Sequence, residues 1–143
     1  RFAFDVCYED LFGDEIARTV RGADGAAGAS VLVNVSNIAW FGDSHALPQH
    51  LAIARMRALE TARPMLRATN TGVTAAIDHR GRVTARLPAY ERGALDVQVQ
   101  GTTGTTPYVR FGTLAPGALL LARLLAGLAV RRRGTGSRRN AHR

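Results

Sequence analysis

FAFDVCYEDLFGDE, residues 2–15, carries the only cysteine in the chain, and the handover from its first half to its second decides the architecture. FAFDV reads as a short buried strand that ends at Cys7. From residue 10 to residue 21 the apolar positions Leu11, Ile16, Ala17 and Val20 recur among charges at helical spacing. A strand passing into a helix aims the side chain at their junction out of the sheet. A lone cysteine is by default a small buried hydrophobe. A thiol beside a helix N-terminus, in contrast, has its thiolate stabilised by free N–H groups and the helix dipole. Both readings of Cys7 stand at this point. The histidines, His45, His50, His79 and His142, include no partner base that spacing singles out, and Asp43, His45 and His50 match no standard set of metal ligands. Glu9 lies close to Cys7 only if the chain turns there.

Outward from this stretch, strands alternate with helices. VLVNV at 31–35 is β-branched enough for a second strand, and SNIAWFGDSHALPQH follows as a long loop. Pro48 suits the first turn of a helix running to about Arg63, ended by Pro64. MLRAT predicts a strand at 65–69. GVTAAID (72–78) and VTARL (83–87) predict a hairpin through HRGR, and ALDVQVQ at 94–100 alternates like a further strand. The class is α/β, and 143 residues suffice for one domain with a real core.

Charge narrows the function. All 19 basic residues are arginine, and the net charge is +8. Six of those arginines fall within RRRGTGSRRNAHR at the end of the chain, so the body is nearly balanced. With 6% aromatic residues and no basic face in the body, nucleic acid is excluded as a partner. A single cysteine excludes an internal disulfide. The opening on Arg1, directly in a strand, reads as a piece of something longer. From Phe111 to Val130 the chain is apolar, and Arg131, Arg132 and Arg133 follow. That pattern predicts a transmembrane helix at 111–130 with a basic cytoplasmic tail at 131–143. The alternative is a helix on a protein or bilayer surface, for which Pro116 and the mid-segment Arg123 speak.

Four blocks carry a family resemblance: CYEDLFGDE, NVSNIAWFGDS, QHLAIARMRALETARPMLRATNTGVTAAID and GTTGTTPYVRFG. In this order they resemble the C-terminal part of the apolipoprotein N-acyltransferases, within the nitrilase (carbon–nitrogen hydrolase) superfamily. The resemblance implies that residues 1–110 are the C-terminal half of a nitrilase-like α-β-β-α sandwich, on the periplasmic side of a bacterial inner membrane. It implies a Glu–Lys–Cys triad with Cys7 as nucleophile. Tyr8 would donate its backbone N–H to the oxyanion hole, Glu9 would support the active site, and Trp40 and Phe41 would line the substrate side. The glutamate and lysine belong upstream in the family, and this chain contains no lysine. Ile38 stands where the family often has an acid. The implied reaction moves an acyl chain from a phospholipid, typically phosphatidylethanolamine, through a cysteine thioester to the α-amine of a diacylglyceryl-apolipoprotein. No cofactor or metal is implied. Two other readings are a soluble nitrilase-fold amidase or carbamoylase and a non-catalytic, membrane-anchored domain. Asn70 and Gly72 read as a strand-edge turn, and Arg55, Arg57, Glu60 and Arg63 as a solvated or bracing helix face.

Overall fold

Strands β1 (Phe2–Val6), β2 (Val31–Ser36), β3 (Met65–Thr69), β4 (Ala75–Ile77) and β5 (Val83–Arg86) form one sheet in the order of the chain. The computed structural model describes residues 1–23 and 27–139; part of the Gly/Ala connector before β2 thus lies outside the described residues. β1, β2 and β3 run parallel, whereas β4 and β5 are antiparallel to their neighbours. Parallel strands need long crossovers. Helix α1 (Gly13–Arg21) serves between β1 and β2, and α2 (Ala46–Thr61) between β2 and β3. The β4–β5 hairpin closes through Asp78, whose Oδ1 accepts the N–H groups of Arg80 and Arg82, both at 2.9 Å.

The core lies on one face of this sheet. Ile16, Ala17 and Val20 of α1 and Ala54 and Ala58 of α2 pack with Leu32, Met65 and Ile77. Val109 of a short helix α3 (Pro107–Phe111) completes it. α2 starts at Ala46, with Pro48 in its first turn as expected, and stops where Ala62 turns left-handed at φ +51°. Arg57 braces the helices: its guanidinium pairs with Glu60 at 3.0 Å, and both it and the Tyr108 hydroxyl crowd the backbone of Gly13. Arg63 instead donates to the carbonyls of Ala29, Thr61, Ala62 and Gly104. The bracing reading holds for Arg57 and Arg63, which are buried, whereas Arg55 is exposed and donates to the Gly81 carbonyl at 2.8 Å.

Three expectations are corrected. β1 is buried on one face only, and Phe2, Phe4 and Val6 on the other are more than half exposed. Residues 94–100 form no strand. Their alternation survives, with Leu95, Val97 and Val99 half-buried and the residues between them exposed, so the segment has the period of a strand without a paired ladder. The run 111–130 is not one continuous helix. α3 ends at Phe111, Gly112 takes φ +56°, and a new helix α4 runs from Leu114 to Arg139. Among the described residues no helix is long and apolar enough to cross a membrane. The apolar part, 114–130, rises about 25 Å at ~1.5 Å per residue, less than the ~30 Å of a hydrocarbon core, and it includes Arg123. The arginines at 131–133 lie within the same helix; residues 140–143 lie outside the described residues. The chain divides into two units, Arg1–Gly112 and the segment from Thr113 onward.

The packing around Gly13 yields a test. A methyl group there would fall 1.5 Å from Arg57 Nη1 and 2.4 Å from the Tyr108 hydroxyl. Gly13→Ala, although alanine is the better helix former, is expected to destabilise the fold by about 1–3 kcal/mol, read as a lowered urea midpoint.

Candidate active site

At the carboxyl end of β1 the backbone reverses. Val6 is extended at φ −112°, ψ 124°, and Cys7 then takes φ +56° and opens a 3-10 turn, Cys7–Leu11. A non-glycine residue in the left-handed region costs on the order of 1–3 kcal/mol and persists only where its surroundings over-determine it. Two contacts do so here. The Glu9 carboxylate accepts the Val6 N–H at 2.6 Å, closing the turn back on the strand. The Asn34 amide donates to the Cys7 carbonyl at 3.1 Å and to Asp5 Oδ2 at 2.6 Å. Asn34 is itself held by the Ser36 hydroxyl, which donates to its Oδ1.

Register explains why these groups meet. Asp5 of β1 is opposite Asn34 of β2, and Asn34 is opposite Arg67 of β3. One polar row therefore crosses three parallel strands, and all three residues are buried. Arg67 reaches from that row to the 3-10 turn. Its Nη1 lies 3.4 Å from Asp10 Oδ2 and donates to the His50 carbonyl at 3.3 Å. The His50 ring stands 3.7 Å from the same Asp10 oxygen. Burial pushes the Asp10 carboxyl up to about 7, with Arg67 opposing the shift and Asp5 adding to it. Burial likewise raises Asp5 to about 6 against its hydrogen bond from Asn34. His50 is driven down to about 4 by burial and by the Arg67 charge. Burial lowers Arg67 as well.

The Cys7 thiol is half-buried and lies against the Asn37 carbonyl, at 3.8 Å, just past the end of β2. Tyr8 is exposed and meets the edge of Phe12, with centroids 6.3 Å apart. Trp40 and Phe41 occupy a second 3-10 turn, Ala39–Phe41, and meet edge to face at 6.4 Å. Their exposures of 77% and 52% rule out a core role for them among the described residues. His50 is engaged with the Asp10–Arg67 pair. Among the described residues no three His, Cys, Asp or Glu side chains gather as a metal site. The sequence reading missed Asp5, Asp10, Asn34, Asn37 and Arg67. For Asp5, Asn34 and Arg67 the signal was a charged or amide residue within a mostly apolar strand, FAFDV, VLVNV or MLRAT; Asp10 and Asn37 had none.

A thiol on a strained strand-to-turn junction, at the carboxyl ends of parallel strands, is the arrangement of a nucleophilic hydrolase or transferase. The profile of the carbon-nitrogen hydrolase family matches residues 1–108, and the chain belongs to that family. Within it, the chain is similar to the apolipoprotein N-acyltransferase of Bordetella bronchiseptica, with 57% identity over 134 residues, 93% of this chain and 24% of the relative. The apolipoprotein N-acyltransferase of Ralstonia nicotianae is 58% identical over 134 residues, 93% of this chain and 25% of the relative. That of Nitrosomonas europaea is 54% identical over 125 residues, 87% and 24%. The chain thus spans about a quarter of the length of the curated relatives it matches.

The buried acids set a pH dependence. A carboxyl raised on folding binds its proton more tightly in the folded state, so its contribution falls as pH rises through the folded value. For Asp5 that window runs from about 4 to about 6, and for Asp10 from about 4 to about 7. His50 works the other way between about 4 and 6.5, stability rising with pH there. Above about pH 6.5 only Asp10 of these three still titrates. Urea midpoints are expected to drop between pH 6 and pH 8, and Asp10→Asn is expected to flatten that drop.

Proposed function

We propose that this chain is the nucleophile-bearing part of an enzyme that N-acylates apolipoproteins, with Cys7 as the attacking residue. The observation that carries the reading is the left-handed backbone at Cys7, held by Glu9 and Asn34 in a carbon-nitrogen hydrolase domain. The names of relatives that share more than half of their aligned residues with it support the acyltransferase class.

In the proposed reaction the Cys7 thiolate attacks the ester carbonyl of a phospholipid such as phosphatidylethanolamine. The C–O bond breaks, the lysophospholipid leaves with a proton, and the acyl group stays on sulfur as a thioester. The α-amine of a diacylglyceryl-cysteine then attacks the thioester. The amide forms, the C–S bond breaks and the thiol returns. A thioester suits the task because the thiol attacks readily and its acyl product still yields to an amine. The Tyr8 N–H, one residue past the nucleophile, is proposed to face the developing oxyanion. Glu9, bonded to the Val6 N–H, is proposed to keep the junction in shape instead of exchanging protons with substrate. The exposed Trp40–Phe41 pair is proposed to meet the acyl chains. A general-base glutamate and a lysine would come from outside residues 1–143, where lysine is absent. They would complete the triad and, with further elements, the four-layer sandwich.

Both substrates are lipids, so the reading puts the enzyme at the bacterial inner membrane with this domain on the periplasmic side. Leu114, Leu121, Leu125 and Leu128 of α4 are exposed and are proposed to contact lipid.

Mass spectrometry tests the reading. After the full-length protein is incubated with phosphatidylethanolamine, the peptide containing Cys7 is expected to gain one acyl group, and Cys7→Ala to gain none. An unmodified Cys7 under conditions where acyl transfer still proceeds would overturn it. Residues 1–143 alone are expected to show no transfer above the no-enzyme rate.

A further inference from the structure

We propose that Asn70 is a positioning residue for the Cys7 thiol, acting through the peptide group that joins Asn37 to Ile38. The carbonyl against which the sulfur lies and the N–H of Ile38 belong to one peptide plane. Because that plane is rigid, fixing its N–H fixes the direction of its carbonyl. Asn70 Oδ1 accepts the Ile38 N–H at 3.1 Å, and Asn70 Nδ2 donates to Asn37 Oδ1 at 2.7 Å. One side chain past the end of β3 thus grips both residues that flank the critical peptide past the end of β2.

The grip has a firm base. Asn70 Oδ1 also accepts the N–H of Thr71 at 2.9 Å, and Tyr90 donates its N–H to the Thr71 carbonyl at 3.0 Å. Ile38 is fully buried and lies flush on the same turn. A methyl group on Gly72 would fall 2.3 Å from Ile38 Cδ1, so the close approach needs glycine there. The turn at 70–72, more than a strand edge, is the seat of the loop beside the thiol.

The proposal rests on the acyl-transfer reading for its natural readout, so the experiment carries a second readout that does not. In the full-length protein, Asn70→Leu keeps the size of the side chain and removes its acceptor. It is expected to lower kcat for acyl transfer by about 10–100-fold with KM within about twofold, because the reacting geometry changes and the lipid contacts do not. Asn70→Asp retains an acceptor for the Ile38 N–H and is expected to recover most of that loss. Thr74→Val is the control. It loosens the same turn by removing the hydroxyl that bonds the Thr69 N–H and carbonyl, and is expected to lower the melting temperature while sparing kcat. Equal kcat in Asn70→Leu and the native protein, or an equal loss in Thr74→Val, would overturn the proposal. If Asn70→Leu fails to fold, Asn70→Ser, too short to reach Ile38, takes its place under the same criteria. Should the native protein show no acyl transfer, the functional reading falls, and alkylation of Cys7 by iodoacetamide decides this proposal alone. An alkylation rate changed about threefold or more in either direction supports it; superimposable rates sink it.

Discussion

The left-handed turn of the backbone at Cys7 is the constraint around which the rest of the domain is arranged. An L-residue avoids that conformation, and the chain holds it by tying down both sides of the residue. Ahead of it, the Val6 N–H is bound by a carboxylate, a charge-assisted bond stronger than a neutral one. Behind it, the Cys7 carbonyl is bound by a buried amide. The first contributes about 1.5–3 kcal/mol and the second about 0.5–1.5 kcal/mol, together comparable to the strain they offset. The remaining polar groups in the row act at one remove. Asp5 and Ser36 orient Asn34, and Arg67 and His50 engage the Asp10 carboxylate that lies inside the turn.

This arrangement is costly. Arg67 and Asp10 have fully buried side chains, and Asp5 Oδ1, Asp10 Oδ1 and Arg67 Nη2 are without hydrogen-bond partners among the described residues. A buried ion pair of this kind is a weak source of stability compared with apolar packing. What it supplies is direction. The apolar cluster of α1, α2 and the inner sheet face provides the cohesion, and the polar row converts that cohesion into a fixed position for one sulfur atom.

Much of this was readable from the letters. The strands at FAFDV, VLVNV and MLRAT, the hairpin through HRGR and the helix before Pro64 all follow from local patterns, and the structure has them. The handover at Cys7 was readable as a junction, but its left-handed backbone was not, since no residue type at that position demands it. The Asp5–Asn34–Arg67 row was hidden because it exists only once three separate strands are in register. Residues 94–100 misled because alternation reports which side chains face an apolar surface and does not report whether a neighbouring backbone is there to pair. The bounds of the 111–130 run differ because hydropathy does not register Gly112, whose φ of +56° separates two helices.

β1 is the outermost strand of the sheet, with one long edge unpaired by any described strand. It is also the strand that ends in the proposed nucleophile. A backbone that zipped along Phe2–Val6 would dictate the twist and lateral position of the strand, and the sulfur one residue beyond would move with it. A slip of a single residue would present the opposite side of the incoming segment. The thiol hangs at the end of a lever, so the alignment of any strand that paired there and the alignment of the sulfur would be one mechanical event.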